Sequence, residues 1–314
     1  METMGIASKT GRMTIKMINS AIDTAVLIVI LLLVAIGCYA LWDSDQVHQS
    51  ASSEQYERFK PTAENLGLTF DELKVVNPDV FAWLTVYGTH IDYPIVQGED
   101  NMRYVNTNAE GNYSLSGAIF LDYNCCRDFT DFNSILYGHH MEKNAMFGEI
   151  GNFSDKEYFD ARKYGMLYFN GKEHGLEFFA FIHADAYDKT VYRTNLEREE
   201  DKQEYLYRLY DLAVHTRDIR ITTDDRIVLL NTCSHFSTNG RDILIGKITD
   251  DVFEDPFWVD VPVRERTIFA IDVPLGFLMT TPIWVKLVII IIPLIALILM
   301  VTVMIKRRRR WVKF

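Results

Sequence analysis

Two long apolar runs frame the chain. Residues 25–42 carry no charge over eighteen positions, and residues 287–305 are interrupted only by Pro293 and Thr302. A bilayer core about 30 Å thick needs roughly 20 apolar residues in a helix, so both runs predict transmembrane helices, the second spanning 283–305 with its flank. Between them the period of the pattern changes. Residues 43–53 are polar and small, a tether. Ser53 ahead of Glu54-Gln55-Tyr56-Glu57, and then the capping box Thr69-Phe70-Asp71-Glu72, mark two helix starts. Asn77-Pro78 stops the second.

Strand patterns dominate from there. Residues 81–86 are aromatic and β-branched, Gly88-Thr89 turns the chain, and Ile91, Tyr93 and Ile95 alternate with other residues. Residues 118–121 and 135–137 predict short strands. Residues 166–169 and 176–182 face each other across Asn170-Gly171-Lys172, a hairpin signal. One helix interrupts, at about 196–214, with Thr194-Asn195-Leu196-Glu197 as its capping box and Leu206, Leu209 and Ala213 on one face. Residues 226–232 and 242–248 complete the set. Short strands punctuated by turns predict a mainly β fold, closed or nearly closed into a barrel that hides its edges.

Charge sets the orientation. Lys9, Arg12 and Lys16 precede the first run, Asp43 and Asp45 follow it, and the second is followed by Lys306, four arginines and Lys313. The positive-inside rule then puts both ends in the cytoplasm and the middle outside. Trp42, Trp284 and Trp311 sit where interfacial aromatics belong, and Lys286 can snorkel outward. A cleaved signal peptide is the competing reading of the first run, but the run is long for a signal core. Residues 25–285 carry a net charge of −19 out of a total of −11. So acidic an outer domain is unsuited to nucleic acid, and the basic tail reads as a topology determinant that also meets the lipid bilayer.

Four cysteines do not make a disulfide framework: Cys38 lies in an apolar run, Cys125 and Cys126 are adjacent, and Cys233 has no obvious partner. Cys233 ends one strand pattern, Arg241 opens the next, and His139 follows the strand ending in Tyr137-Gly138. A thiol becomes a nucleophile as the thiolate, an imidazole moves its proton, and a guanidinium steadies a developing oxyanion. Together these are the parts for acyl transfer through a thioester. No Gly-rich phosphate loop and no metal-ligand spacing is present, so no cofactor is expected. His139 and His140 diverge on a strand and are not expected to share a metal.

Tyr137-Gly138-His139-His140-Met141, then Asn231-Thr232-Cys233-Ser234, then Arg241 eight residues on, resemble the sortases, specifically class B. Asn77-Pro78-Asp79, Trp83-Leu84, residues 91–98 and Asp100-Asn101 extend the resemblance over about residues 55–250. Leu229 stands where the family motif usually has threonine. The resemblance implies a closed sortase-type barrel of about eight strands with N-terminal helices and one inserted helix, the helix that marks class B. It implies a cysteine transpeptidase in which Cys233 is the nucleophile, His139 the general acid/base and Arg241 the oxyanion and substrate-positioning group, with Thr232 a candidate substrate contact. Such enzymes cleave a Thr–Gly-type bond in the sorting signal of a secreted protein and pass the acyl group to an amine of the cell-wall precursor. A second span is instead common in pilus-assembling sortases, which use a pilin lysine. A thiol peptidase and a non-catalytic surface assembly protein are the further alternatives. The expected layout is 1–24 cytoplasmic, 25–42 span, 43–53 tether, 54–255 extracellular catalytic domain, 256–282 juxtamembrane, 283–305 span and 306–314 cytoplasmic tail.

Overall fold

A computed structural model describes residues 3–61, 68–233 and 239–258. The expected second span, the basic tail and most of the juxtamembrane segment lie outside the described residues. The described residues fall into two units, one up to Ser44 and one from Asp45. The helix α1 (Thr3–Ala51) contains the whole 25–42 run, and its apolar side chains there, Leu33, Ile36 and Leu41 among them, are exposed. By length and composition this helix is able to cross a membrane. The tether expected at 43–53 is helical as far as Ala51; with no Gly or Pro in that stretch, nothing in it breaks the backbone ladder.

The second unit is the β domain. A 3₁₀ turn (Ser53–Phe59) capped by the Ser52 hydroxyl is followed by α2 (Leu68–Val76). The strands are β1 (Val80–Val86), β2 (Asp92–Val96), β3 (Ile119–Leu121), β4 (Asn133–Tyr137), β5 (Tyr164–Phe169), β6 (Lys172–Asp185), β7 (Ala213–Thr216), β8 (Arg226–Cys233) and β9 (Gly240–Thr249), with α3 (Lys156–Ala161) before β5 and α4 (Glu199–Asp211) between β6 and β7. Their order is β5-β1-β2-β3-β4-β8-β9-β6-β7, and β5 also pairs β6. That last pairing closes eight strands into a barrel and leaves β7 as an appendage on β6. Closure works because β6 is long: residues 172–177 pair with β5, and residues 180–182 pair with β7. The β5–β6 hairpin turns on Asn170 and Gly171 alone, both at positive φ (51° and 75°), the backbone of a two-residue turn that follows the sheet twist.

Alternation along the strands separates two cores. Val228, Leu230, Leu244 and Ile248 join Trp83, Phe178 and Phe181 in the larger. Ile227, Leu229, Ile243 and Ile245 join Ile135 and Ile182 beneath α4, which buries Tyr205, Leu206 and Leu209. Each such side chain contributes roughly 1.5–3 kcal/mol on burial. The inserted helix is shorter than its apolar spacing indicates. It starts at Glu199 with Arg198 as N-cap and no side-chain cap bond, and Ala213 opens β7. Asn195 sits at φ 58°, a left-handed conformation incompatible with helix, so the Thr194–Glu197 box does not cap.

Candidate active site

Three strand ends meet at one rim of the barrel. β4 and β8 run parallel with Tyr137 beside Asn231, and the Gly138 amide extends the ladder by donating to the Asn231 carbonyl at 3.2 Å. His139 follows two residues after Tyr137, beyond the end of β4, and Cys233 is the last residue of β8. β8 and β9 run antiparallel, and Cys233 and Arg241 are Cα partners. Thus the β8–β9 register pairs residues 233 and 241, and the β4–β8 ladder brings the chain to the same rim just before residue 139, about a hundred positions away in sequence.

Only glycine fits between Tyr137 and His139. A Cβ at Gly138 would lie 2.5 Å from Ile119 Cδ1 and 2.7 Å from the Phe147 ring. The His139 imidazole donates through Nε2 to the Val105 carbonyl oxygen at 2.9 Å; a carbonyl only accepts, which fixes that nitrogen as protonated. Arg241 is half-buried, and its Nη1 donates to the Gly240 carbonyl at 2.9 Å.

A groove of about 550 Å³ runs beside these residues, lined by Val105, Tyr137, Tyr187, Tyr192, Asn231 and Arg241 among others. Its walls are held by polar networks. Tyr137 donates to Asp122 at 3.0 Å, and the same carboxylate oxygen accepts from Asn101, another lining residue, at 2.8 Å. Burial, reinforced by the Asp122 charge, pushes the Tyr137 hydroxyl well above the usual phenol range, so it remains a donor. Tyr192 donates to Asn231 at 3.1 Å. Asp188, at the groove edge, accepts from the Thr190 amide and from Arg208 of α4 at 3.1 Å, tying the 185–192 turn to the inserted helix. Tyr187 and Tyr192, which bracket that turn, both border the groove.

The other face of the same rim is different. Thr232 and Asp242 are cross-strand partners there, both buried, and Thr232 is absent from the groove lining. His140 lines a second cavity on that side with Asp242, so the two adjacent histidines diverge. Cys125 is buried and Cys126 exposed; burial pushes the Cys125 thiol up to about 12.

Val105, Asp122, Asp188 and Asp242 had no signature in the sequence. A backbone carbonyl leaves none, and isolated aspartates in loops or strands resemble any other surface charge.

No protein-family model matches the chain. Among curated proteins it is 31% identical over 179 residues to Sortase B of Listeria monocytogenes, covering 56% of this chain and 72% of that one. Among solved structures it is similar to the sortase B from the type II pilus of Streptococcus pneumoniae, at 46% identity and TM-score 0.52, covering 58% of this chain and 99% of that one. A Streptococcus pyogenes class B sortase involved in pilus biogenesis is 42% identical, TM-score 0.53, with coverages of 58% and 98%.

Proposed function

The chain belongs to the class B sortases and is a cysteine transpeptidase, and from that premise we propose that it sorts secreted proteins at the outer face of a membrane, with Cys233 as the acyl-carrying nucleophile. The observation that carries this reading is the register that makes Cys233 and Arg241 partners in the β8–β9 ladder. His139 follows the β4 strand that pairs with β8 on its other side.

In the first half-reaction the Cys233 sulfur attacks the scissile carbonyl of a sorting signal lying in the groove. The C–N bond breaks, the acyl group remains on sulfur, and the departing amine takes its proton from His139. Arg241 donates to the carbonyl oxygen as charge develops. In the second half-reaction an amine gives a proton to His139 and attacks the thioester, the C–S bond breaks, and an amide forms. The 25–42 segment of α1 anchors the enzyme beside substrates that are themselves held at the membrane, which raises their effective concentration. The catalytic domain is extracellular, both termini are cytoplasmic, and 283–305 is a second span.

The acceptor is an amine of the cell-wall precursor. A pilin lysine is the second reading, favoured by the similarity to two pilus-associated sortases, at 46% and 42% identity. Incubating the full chain with sorting-signal peptides and an added amine tests the function. Amide as the main product, abolished in Cys233→Ala, is expected; acid alone would mark a peptidase.

A further inference from the structure

Asp242 is only 1% exposed, and nothing in the reaction described above uses it. Its Oδ1 accepts from His183 Nδ1 at 2.8 Å. Its Oδ2 is buried and has no hydrogen-bond partner among the described residues. A buried carboxylate oxygen without a donor costs about 1–3 kcal/mol or more, so the fold keeps it at a penalty. That oxygen borders a cavity of about 400 Å³. Gly151 forms the facing wall, where an added Cβ would lie 3.0 Å from Oδ2. Asn152 and Asp155, both exposed, bring the cavity to the surface. Among the described residues no lysine or arginine lines it. Glu149, buried nearby, is already engaged by the His90 amide and the Tyr158 hydroxyl.

The position relative to the thioester gives the cavity its meaning. Asp242 pairs with Thr232, the neighbour of Cys233, and is itself the neighbour of Arg241. One residue along and one strand across corresponds to about 6 Å between the Cys233 and Asp242 Cα atoms. His140, the neighbour of His139, lines the same cavity. The groove and this cavity therefore lie on opposite faces of one rim, with the thiol-bearing strand end between them.

We propose that this second cavity is the acceptor-side subsite: it takes an ammonium group of a small diamine or diamino compound whose other amine resolves the acyl-enzyme. The proposal rests on the transpeptidase reading above. With the acyl chain in the groove, the amine arrives over the rim past His139, which receives its proton, and the second ammonium donates to Asp242 Oδ2. A charge-assisted bond of this kind is among the stronger hydrogen bonds.

The test uses the full chain, a donor peptide, and cadaverine against n-pentylamine as acceptors of equal carbon length, with amide and acid products quantified together. The parent is expected to favour cadaverine about tenfold in amide formed, consistent with a charged hydrogen bond. In Asp242→Asn the preference falls to near parity, and in Gly151→Ala, which crowds Oδ2 without touching its charge, it falls several-fold. Acid product in the same vials reports that each variant is folded and acylated. A parent without preference, or a preference unchanged in both variants, overturns the subsite. A parent that yields neither acid nor amide overturns the transpeptidase reading and the subsite with it, a result distinct from acid without preference.

Discussion

Cys233 and Arg241 are Cα partners in the β8–β9 ladder, although seven residues separate them in the chain. A cross-strand pair is the shortest connection a sheet offers between residues of neighbouring strands. Substitution at 241 is therefore expected to act on the chemistry rather than on folding. Arg241→Ala lowers kcat/KM about 10²–10³-fold, the range for loss of an oxyanion donor. Arg241→Lys restores little, because a point charge does not reproduce the planar fork. Steady-state kinetics with unchanged thermal unfolding is the check; full activity in Arg241→Ala contradicts the assignment.

Gly117 is expected to matter to the site from a distance. Its φ is +60°, and a Cβ there would lie 2.5 Å from the Tyr104 carbonyl and 2.6 Å from the Val105 carbonyl that accepts from His139. Gly117→Ala should displace that carbonyl, lower the melting temperature and reduce donor turnover together. Gly111→Ala is the control: its φ is +85° but nothing lies within 4 Å. It pays only the backbone penalty, about 1 kcal/mol, and keeps its turnover. Equal turnover in the two variants would sink the link between Gly117 and His139.

Asp188 gives a pH signature for the turn at the groove edge. Burial raises its carboxyl, but hydrogen bonds from Thr190 and Arg208 outweigh this and hold it below the ordinary 3.8. With the folded value depressed, the contribution of this carboxylate is complete above pH 3.8 and is lost as pH falls through the lower folded value. An NMR titration of the Asp188 carboxyl should give a midpoint below 3.8 that climbs towards 3.8 in Arg208→Ala. A parent midpoint at or above 3.8 would contradict this.

Much of the barrel was legible because alternation and turn residues are local. Asn170-Gly171 announced its hairpin, and the strands at 81–86 and 226–232 were apparent from their apolar content. The inserted helix was overextended for a tertiary reason. Ala213 continues the apolar spacing of Leu206 and Leu209, yet it pairs with Ile182 as the start of β7, and no local signal distinguishes those fates. The pairing of positions 233 and 241 was readable from the end of one strand pattern and the start of the next, since consecutive antiparallel strands place such residues opposite each other. The Val105 carbonyl and the free oxygen of Asp242 were not, because both depend on which loop and which sheet face the chain packs against.

The thiols should react unequally. Burial pushes Cys125 up to about 12, which leaves about one thiolate in 10⁴ at pH 8. Iodoacetamide at pH 8 should leave Cys125 unlabelled in the folded chain and label it after denaturation, whereas Cys126, though also raised, is exposed and labels in the folded chain. Peptide mapping that finds Cys125 modified as fast as Cys126 in the folded chain would contradict the buried placement.

Intact-mass and peptide-mapping spectrometry of the full chain, quenched during turnover of a panel of sorting-signal peptides, tests the central assignment most directly. The expected result is one acyl group per chain, mapped to Cys233, removed by hydroxylamine and missing in Cys233→Ala. An adduct on another residue, or amide product from Cys233→Ala at the parent rate, would contradict it.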